Sequence, residues 1–170
     1  MKVYIAGKVS GNSSFKKHDW RDEFCDELCS LSGLALESLD PLKIETSSMG
    51  PWEIFAKDCY LISQSDVVVV YLSDDISIGG SQEILIAKYL QKPVIGLAPF
   101  GGKFNGSSRE FHGKLIKDWQ DPFVFSTCDI VCRDTGEVAS AIQKIEEGQI
   151  KVRTIDIIDR AVADFEKVIS

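Results

Sequence analysis

Positive charge is in short supply in this 170-residue chain: 19 lysines and arginines stand against 26 aspartates and glutamates, for a formal net charge of -7. A polymeric nucleic acid or an anionic membrane needs a basic footprint, so neither is an expected partner. Long apolar runs are missing too. None approaches the roughly 18 residues that cross a bilayer, and the opening Val3-Tyr4-Ile5-Ala6-Gly7 is too short for a signal-peptide core, so the expected compartment is the cytoplasm. Histidine occurs only twice, and the five cysteines (Cys25, Cys29, Cys59, Cys128, Cys132) lack the two-residue gaps and clustered histidines of common zinc sites. They read as reduced, mostly buried small hydrophobes. Neither a Walker loop nor a G-x-G-x-x-G fingerprint is present, so ATP or a dinucleotide is not indicated.

What is there is an ordinary globular composition, 44% hydrophobic and 26% charged, at a length that suits one domain. Short apolar runs alternate with helical patterns. Strands are predicted at Val3 to Ala6, Leu34 to Leu39, Asp66 to Leu72, Pro93 to Ala98 and, briefly, within Phe123 to Val131. Helices are predicted from Phe15 (capped by Ser13 or Ser14) to Leu31 with Gly33 as its stop, from Pro51 to Gln64, Ser81 to Leu90, Arg109 to Trp119 and Gly136 to Glu147. Pro99 to Ser108 reads as a glycine-rich loop. The run Val67-Val68-Val69-Val70-Tyr71 is apolar at successive positions, as in a strand covered on both faces.

The series predicts an α/β fold, a doubly wound five-stranded parallel sheet of the flavodoxin-like or Rossmann-like kind in the order 2-1-3-4-5. Ligands of such sheets sit outside the carboxyl ends of the strands, beside strand 1. Three loops therefore matter: Gly7 to Ser14, Ser38 to Gly50 and Ser73 to Ser81. The first, Gly7-Lys8-Val9-Ser10-Gly11-Asn12-Ser13-Ser14, offers backbone N–H groups at a helix N-terminus and reads equally as a phosphate cradle or as an ordinary turn with a serine cap. In the third, Gly79 and Gly80 let the backbone approach a ligand, with Glu83 expected in the first helical turn, where the helix dipole favours a carboxylate. The simpler reading of Glu83 is a capping residue. Asp58 borders the apolar stripe Phe55, Cys59 and Ile62 and reads either as a partner for Glu83 or as a solvated charge beside Lys57.

Four short pieces in order carry a resemblance: Tyr4-Ile5-Ala6-Gly7, then Asp58 eight residues before Asp66-Val67-Val68-Val69, then Gly79-Gly80-Ser81-Gln82-Glu83-Ile84 with Ala87, then Lys92-Pro93-Val94-Ile95. Over about Lys2 to Phe100 the chain resembles the nucleoside 2-deoxyribosyltransferase family. Its Ser77 to Glu83 loop looks closest to the branch that hydrolyses 2′-deoxynucleoside 5′-monophosphates. The resemblance implies that Glu83 is the nucleophile at C1′ of the deoxyribose and that Asp58 holds or protonates the departing base. It also implies a small nucleoside or nucleotide as ligand, no metal or organic cofactor, and a homodimer or higher homo-oligomer. The phosphate would be held by Gly7, Val9, Ser10 and Gly11, by Ser77 and Gly79, and by Ser107 from a neighbouring subunit. Lys8, Gly80 and Ser81 complete the expected substrate-binding set. Where the hydrolase loop usually offers an arginine this chain has Ser10, and Lys8 is the only nearby cation.

Two alternatives accompany hydrolysis: transfer of deoxyribose between bases, and a non-catalytic nucleotide-binding or sensing module on the same fold. Beyond the α/β domain expected over residues 1–148, residues 149–170 carry an extra C-terminal helix. Its apolar residues Ile155, Ile158, Val162, Phe165 and Ile169 are spaced 3, 4, 3, 4. That seam suits packing on the chain's own domain or at a subunit interface.

Overall fold

Five strands, β1 (Lys2–Ala6), β2 (Glu37–Ser38), β3 (Val67–Tyr71), β4 (Val94–Leu97) and β7 (Ile130–Cys132), form one parallel sheet in the order β2-β1-β3-β4-β7. This is the predicted 2-1-3-4-5 arrangement. The computed structural model describes residues 1–7, 20–72 and 75–169. The first loop from Lys8 onward, with the Ser13 or Ser14 cap and the helix start at Phe15, lies outside the described residues. All five residues of β3 are buried, because the sheet is covered on both faces. Strand alternation sends Val3, Ile5, Val67 and Val69 towards α1 (Trp20–Ser32) and α5 (Thr135–Glu146). Tyr4, Ala6, Val68 and Val70 face α2 (Pro51–Gln64) and α3 (Ile78–Tyr89) on the other side.

Local chemistry explains the helix ends. α1 stops at Gly33, whose φ of 69° is left-handed and whose N–H donates to Cys29 O. Trp20, Phe24 and Leu28 are buried on its inner face, whereas Leu31, placed on that face by spacing, is half exposed. α2 opens with Pro51 in its first turn, and Glu53 accepts from Gly50 N. At α5 the Asp134 carboxylate accepts from Glu137 N at 2.8 Å.

Three expectations are corrected. The helix expected at Arg109 to Trp119 is an antiparallel hairpin of β5 (Asn105–Phe111) and β6 (Lys114–Gln120), which also takes the end of the expected glycine-rich loop. His112 and Gly113 both have positive φ, 50° and 75°, as a two-residue hairpin turn requires. The apolar spacing looked helical because Phe111 and Trp119 sit on opposite strands, with their rings stacked at 5.9 Å. Next, the segment from Phe123 begins as a helix, α4 (Pro122–Thr127), because Asp121 accepts from Phe123 N and Val124 N ahead of a first-turn proline; β7 follows. Finally, strand pairing at Leu34 to Leu39 is confined to Glu37–Ser38.

After β4 and β7 the chain is tied down by a buried ion pair. Lys88 and Asp129 are both fully buried and bonded to each other, and Asp129 also accepts from Val94 N and from Arg153 N, each at 2.7 Å. Arg153 in turn donates to Ser126 O. This network fixes the approach to the final helix, α6 (Ile157–Ile169). Among the described residues no helix is long and apolar enough to cross a membrane. All five cysteines are free thiols, and Cys25, Cys128 and Cys132 are buried. Burial pushes each of those three thiols up to about 12.

Candidate active site

Midway along β1 the sheet carries a hydroxyl between the apolar Val3 and Ile5. Tyr4 is fully buried, and a buried phenol must find a partner. Its hydroxyl donates to Glu83 Oε1 at 3.0 Å, joining the first strand to α3 across the sheet surface. Burial and the two nearby carboxylates Glu83 and Asp58 raise the Tyr4 pKa far above the ordinary tyrosine value, so the phenol keeps its proton and stays a donor.

Glu83 sits one turn deeper than its spacing suggests. Ser77 caps α3, its Oγ accepting from Gly80 N at 3.0 Å, so the helix begins at Ile78 and Glu83 lies in the second turn. The dipole acts mainly within the first turn, and the expectation of a carboxylate held ionised by it is therefore corrected. Burial instead raises the Glu83 pKa above the usual glutamate value. Asp58 pushes in the same direction, while the Tyr4 hydrogen bond, Arg21 and Lys57 oppose. Gly79 and Gly80 belong to the helix's first turn and not to a loop before it. A Cβ on Gly80 would stand 3.1 Å from Ile76 Cγ1, so that backbone is closely backed.

Asp58 reaches the same site from α2. It is half-buried, its Oδ1 accepts no hydrogen bond among the described residues, and Lys57 Nζ lies 3.4 Å away. The same ammonium donates to Pro41 O at 3.0 Å, which ties α2 to the turn that ends β2. Lys57 is thus nearly buried beside Asp58, not a solvated neighbour.

Under the sheet's carboxyl edge lies a cation whose role sequence reasoning missed. Arg21 of α1 is buried; its guanidinium donates to Ile5 O at 2.9 Å and to Gly7 O at 2.8 Å and approaches Asp40 to 3.9 Å. It pins the end of β1, and among the described residues its buried Nη1 has no hydrogen-bond partner. Gly7 is close-packed there. A Cβ would fall 2.9 Å from two Trp20 ring carbons, and that ring is held against Tyr71 at 5.1 Å. Gly7→Ala is therefore expected to destabilise the fold by about 1–3 kcal/mol, seen as a lower denaturant midpoint at unchanged slope.

The structure thus brings Glu83, Asp58 and Tyr4 into mutual electrostatic reach. Ser77, Gly79, Gly80 and Ser81 gather at the start of α3, with Ser77, Gly79 and Ser81 exposed. Ser107 is exposed on β5, in a different element. Lys103 at the base of that hairpin pairs with Asp75 at 2.7 Å, which joins it to the segment leading into Ser77. Lys8, Val9, Ser10 and Gly11 lie outside the described residues. Among the described residues there is no group of three or more His, Cys, Asp or Glu side chains able to hold a metal ion.

No protein-family model matches the chain, and no curated protein matches it. Solved structures do. The 2-deoxyribosyltransferase from Leishmania mexicana is 17% identical and aligns over 85% of this chain and 97% of its own, with a TM-score of 0.58. That of the psychrotolerant bacterium Bacillus psychrosaccharolyticus is 16% identical over 82% and 90%, with a TM-score of 0.54. This chain has the fold of these 2-deoxyribosyltransferases. The CMP N-glycosidase BcmB of Clostridium botulinum lies further off, at 12% identity over 84% and 98% and a TM-score of 0.46. In doubly wound sheets of this order ligands sit outside the carboxyl ends of the strands; Tyr4 lies on β1, Asp58 on α2 and Glu83 on α3, the helix that follows β3.

The protonated Tyr4 gives a testable pH dependence. Its hydrogen bond favours the charged form of Glu83, so Tyr4→Phe removes a lowering influence and raises the Glu83 pKa further. If Glu83 must be ionised to act, the acid limb of kcat/KM should lie at higher pH in Tyr4→Phe than in the wild type, because the bond that favours the charged carboxylate is gone. A profile measured on both proteins checks this; an unmoved limb contradicts it.

Proposed function

We propose that this protein cleaves the base–sugar bond of 2′-deoxynucleosides or their 5′-monophosphates, with Glu83 as nucleophile and Asp58 assisting the leaving base. The observation that carries the reading is the buried Tyr4 hydroxyl donating to Glu83 Oε1 at 3.0 Å while Asp58 acts on the same carboxylate. One carboxylate is oriented by a fixed donor, and a second stands nearby, as glycoside chemistry requires.

An N-glycosidic bond breaks through an oxocarbenium-like transition state. The free Glu83 oxygen attacks C1′ as the C1′–N bond breaks, and the bond's electron pair leaves with the base, which takes up a proton delivered through Asp58. Water then attacks C1′, Glu83 departs as a carboxylate, and the water's second proton goes to solvent. The departing Glu83 would remain held by Tyr4, ready for another turnover.

Anion binding would fall to backbone amides and hydroxyls of the first loop, Gly7 to Gly11, and of Ser77 and Gly79, with Ser107 supplied by another subunit. Arg21 supports this indirectly by holding Gly7 O. A second reading, transfer of deoxyribose to another base, is favoured by the two fold relatives described as 2-deoxyribosyltransferases. It differs only in what attacks C1′ in the second step.

Chromatography of deoxynucleosides, with and without a 5′-phosphate, decides between them. Free base from the protein alone supports hydrolysis, and a new nucleoside on adding an acceptor base supports transfer. Binding with no product from any of these substrates would overturn both and favour a sensing module.

A further inference from the structure

Lys57 is an uncommon neighbour for a carboxylate that assists a leaving group. A lysine on a helix normally keeps its ammonium in water, yet this side chain is only 9% exposed. Nor does adjacency in the chain explain why it faces Asp58, because successive residues of a helix point in different directions and do not ordinarily meet. The turn after β2 draws it back. Pro41 O accepts from Lys57 Nζ at 3.0 Å, and the ammonium is thereby left 3.4 Å from Asp58 Oδ1.

That turn has a firm backing of its own. Asp40 is buried, its Oδ1 accepts from Leu42 N at 2.9 Å, and the same oxygen lies 3.9 Å from Nε of Arg21, which donates to Ile5 O and Gly7 O. A line of held groups therefore runs from β1 through Arg21, Asp40 and Pro41 to Lys57, and ends at Asp58. Asp58 needs such an anchor. Its Oδ1 is buried and accepts no hydrogen bond among the described residues, although the side chain as a whole is 24% exposed. A carboxylate with one dry, unbonded oxygen gains by rotating into water unless a cation holds it where it is. Lys57 supplies that charge.

We infer, on the reading of Glu83 and Asp58 proposed above, that Lys57 is a positioning residue for base release: it holds the Asp58 carboxylate beside Glu83 and acts through it, without touching substrate. Its charge also reaches Glu83. Around that carboxylate stand Tyr4 of β1, Arg21 of α1, and Lys57 and Asp58 of α2, and the Cys59 thiol responds to both carboxylates. Burial and Asp58 raise the Glu83 pKa, whereas Tyr4, Arg21 and Lys57 lower it. Loss of the Lys57 charge therefore moves the titration of Glu83 to higher pH.

Three substitutions in the full chain test this. Lys57→Met keeps the apolar stem, Lys57→Gln keeps a donor for Pro41 O, and Lys57→Arg keeps the charge. Carbon-detected NMR titration of the Glu83 carboxyl needs no turnover: the midpoint should lie at higher pH in the two neutral variants and return towards the wild type in Lys57→Arg. Base release from deoxynucleosides and their 5′-monophosphates should lose about 10- to 100-fold in kcat in the neutral variants, with KM changed less than about threefold, as for a misplaced catalytic group. In an Asp58→Asn background the same substitutions should cost less than about threefold more, because residues that act as a unit are not additive. A Glu83 titration unmoved in both neutral variants overturns the inference, and so does a kcat loss that multiplies in full with that of Asp58→Asn. A titration that moves while the wild type releases no base would instead overturn the chemistry proposed for the site.

Discussion

Replacing Glu83 by glutamine is expected to lower base release by roughly 10³-fold or more, the scale of losing a catalytic nucleophile. Glutamine keeps the shape of the side chain, and its amide oxygen can still accept from the Tyr4 hydroxyl. What it loses is charge and nucleophilicity. A neutral amide neither stabilises developing positive charge at C1′ nor forms the ester to the sugar. Stability should not suffer. The Glu83 pKa is raised in the folded protein chiefly by burial, so the ionised carboxylate costs stability above the ordinary glutamate pKa, and a neutral side chain is spared that cost. At neutral pH the thermal midpoint of Glu83→Gln should equal or exceed that of the wild type. Full activity in the variant would remove Glu83 from the mechanism, and a lowered midpoint would assign the carboxylate a structural role.

Asp129→Ala is expected to be the most damaging substitution for the fold, costing about 3–5 kcal/mol, because it strands a fully buried Lys88 without its counter-charge. Desolvation already lowers the Lys88 pKa, with Asp129 opposing it. The same carboxylate holds Val94 N and Arg153 N, so its loss also releases the start of β4 and the segment that leads to α6. Against a total of about 5–15 kcal/mol, that is a large fraction. Denaturant unfolding should show the drop, and limited proteolysis should cut first between Gly148 and Ile157. Lys88→Met combined with Asp129→Leu should recover much of the loss, since an apolar pair leaves no buried charge unpaired. A single Asp129→Ala that unfolds like the wild type would contradict this account.

The parallel sheet was legible because its strands are continuous apolar runs such as Val67 to Tyr71, and helices stopped at Gly33 or opened at Pro51 announced themselves by single residues. The hairpin was not. Phe111, Leu115, Ile116 and Trp119 have helical spacing only if the chain runs straight, and the turn that folds it back is His112-Gly113, a pair weaker as a turn signal than Asn-Gly. At the candidate site, Glu83 and Asp58 could be singled out as carboxylates from the spacing of α3 and α2 alone. Their surroundings could not, because Tyr4 meets Glu83 across 79 residues and Lys57 meets Pro41 across 16. The signal that was available is Tyr4 itself, a hydroxyl inside a strand whose neighbours Val3 and Ile5 are apolar. Arg21, in a helix that buries Trp20, Phe24 and Leu28, could have been noticed in the same way.

The central claim is that Glu83 bonds to the sugar, and peptide mapping of acid-quenched enzyme after incubation with a deoxynucleoside or its 5′-monophosphate tests it most directly. The account predicts one deoxyribosyl group on the peptide that contains Glu83 and none in Glu83→Gln. A sugar attached at Asp58 or any other residue, or free base formed while the enzyme stays unmodified at every quench time, would contradict it.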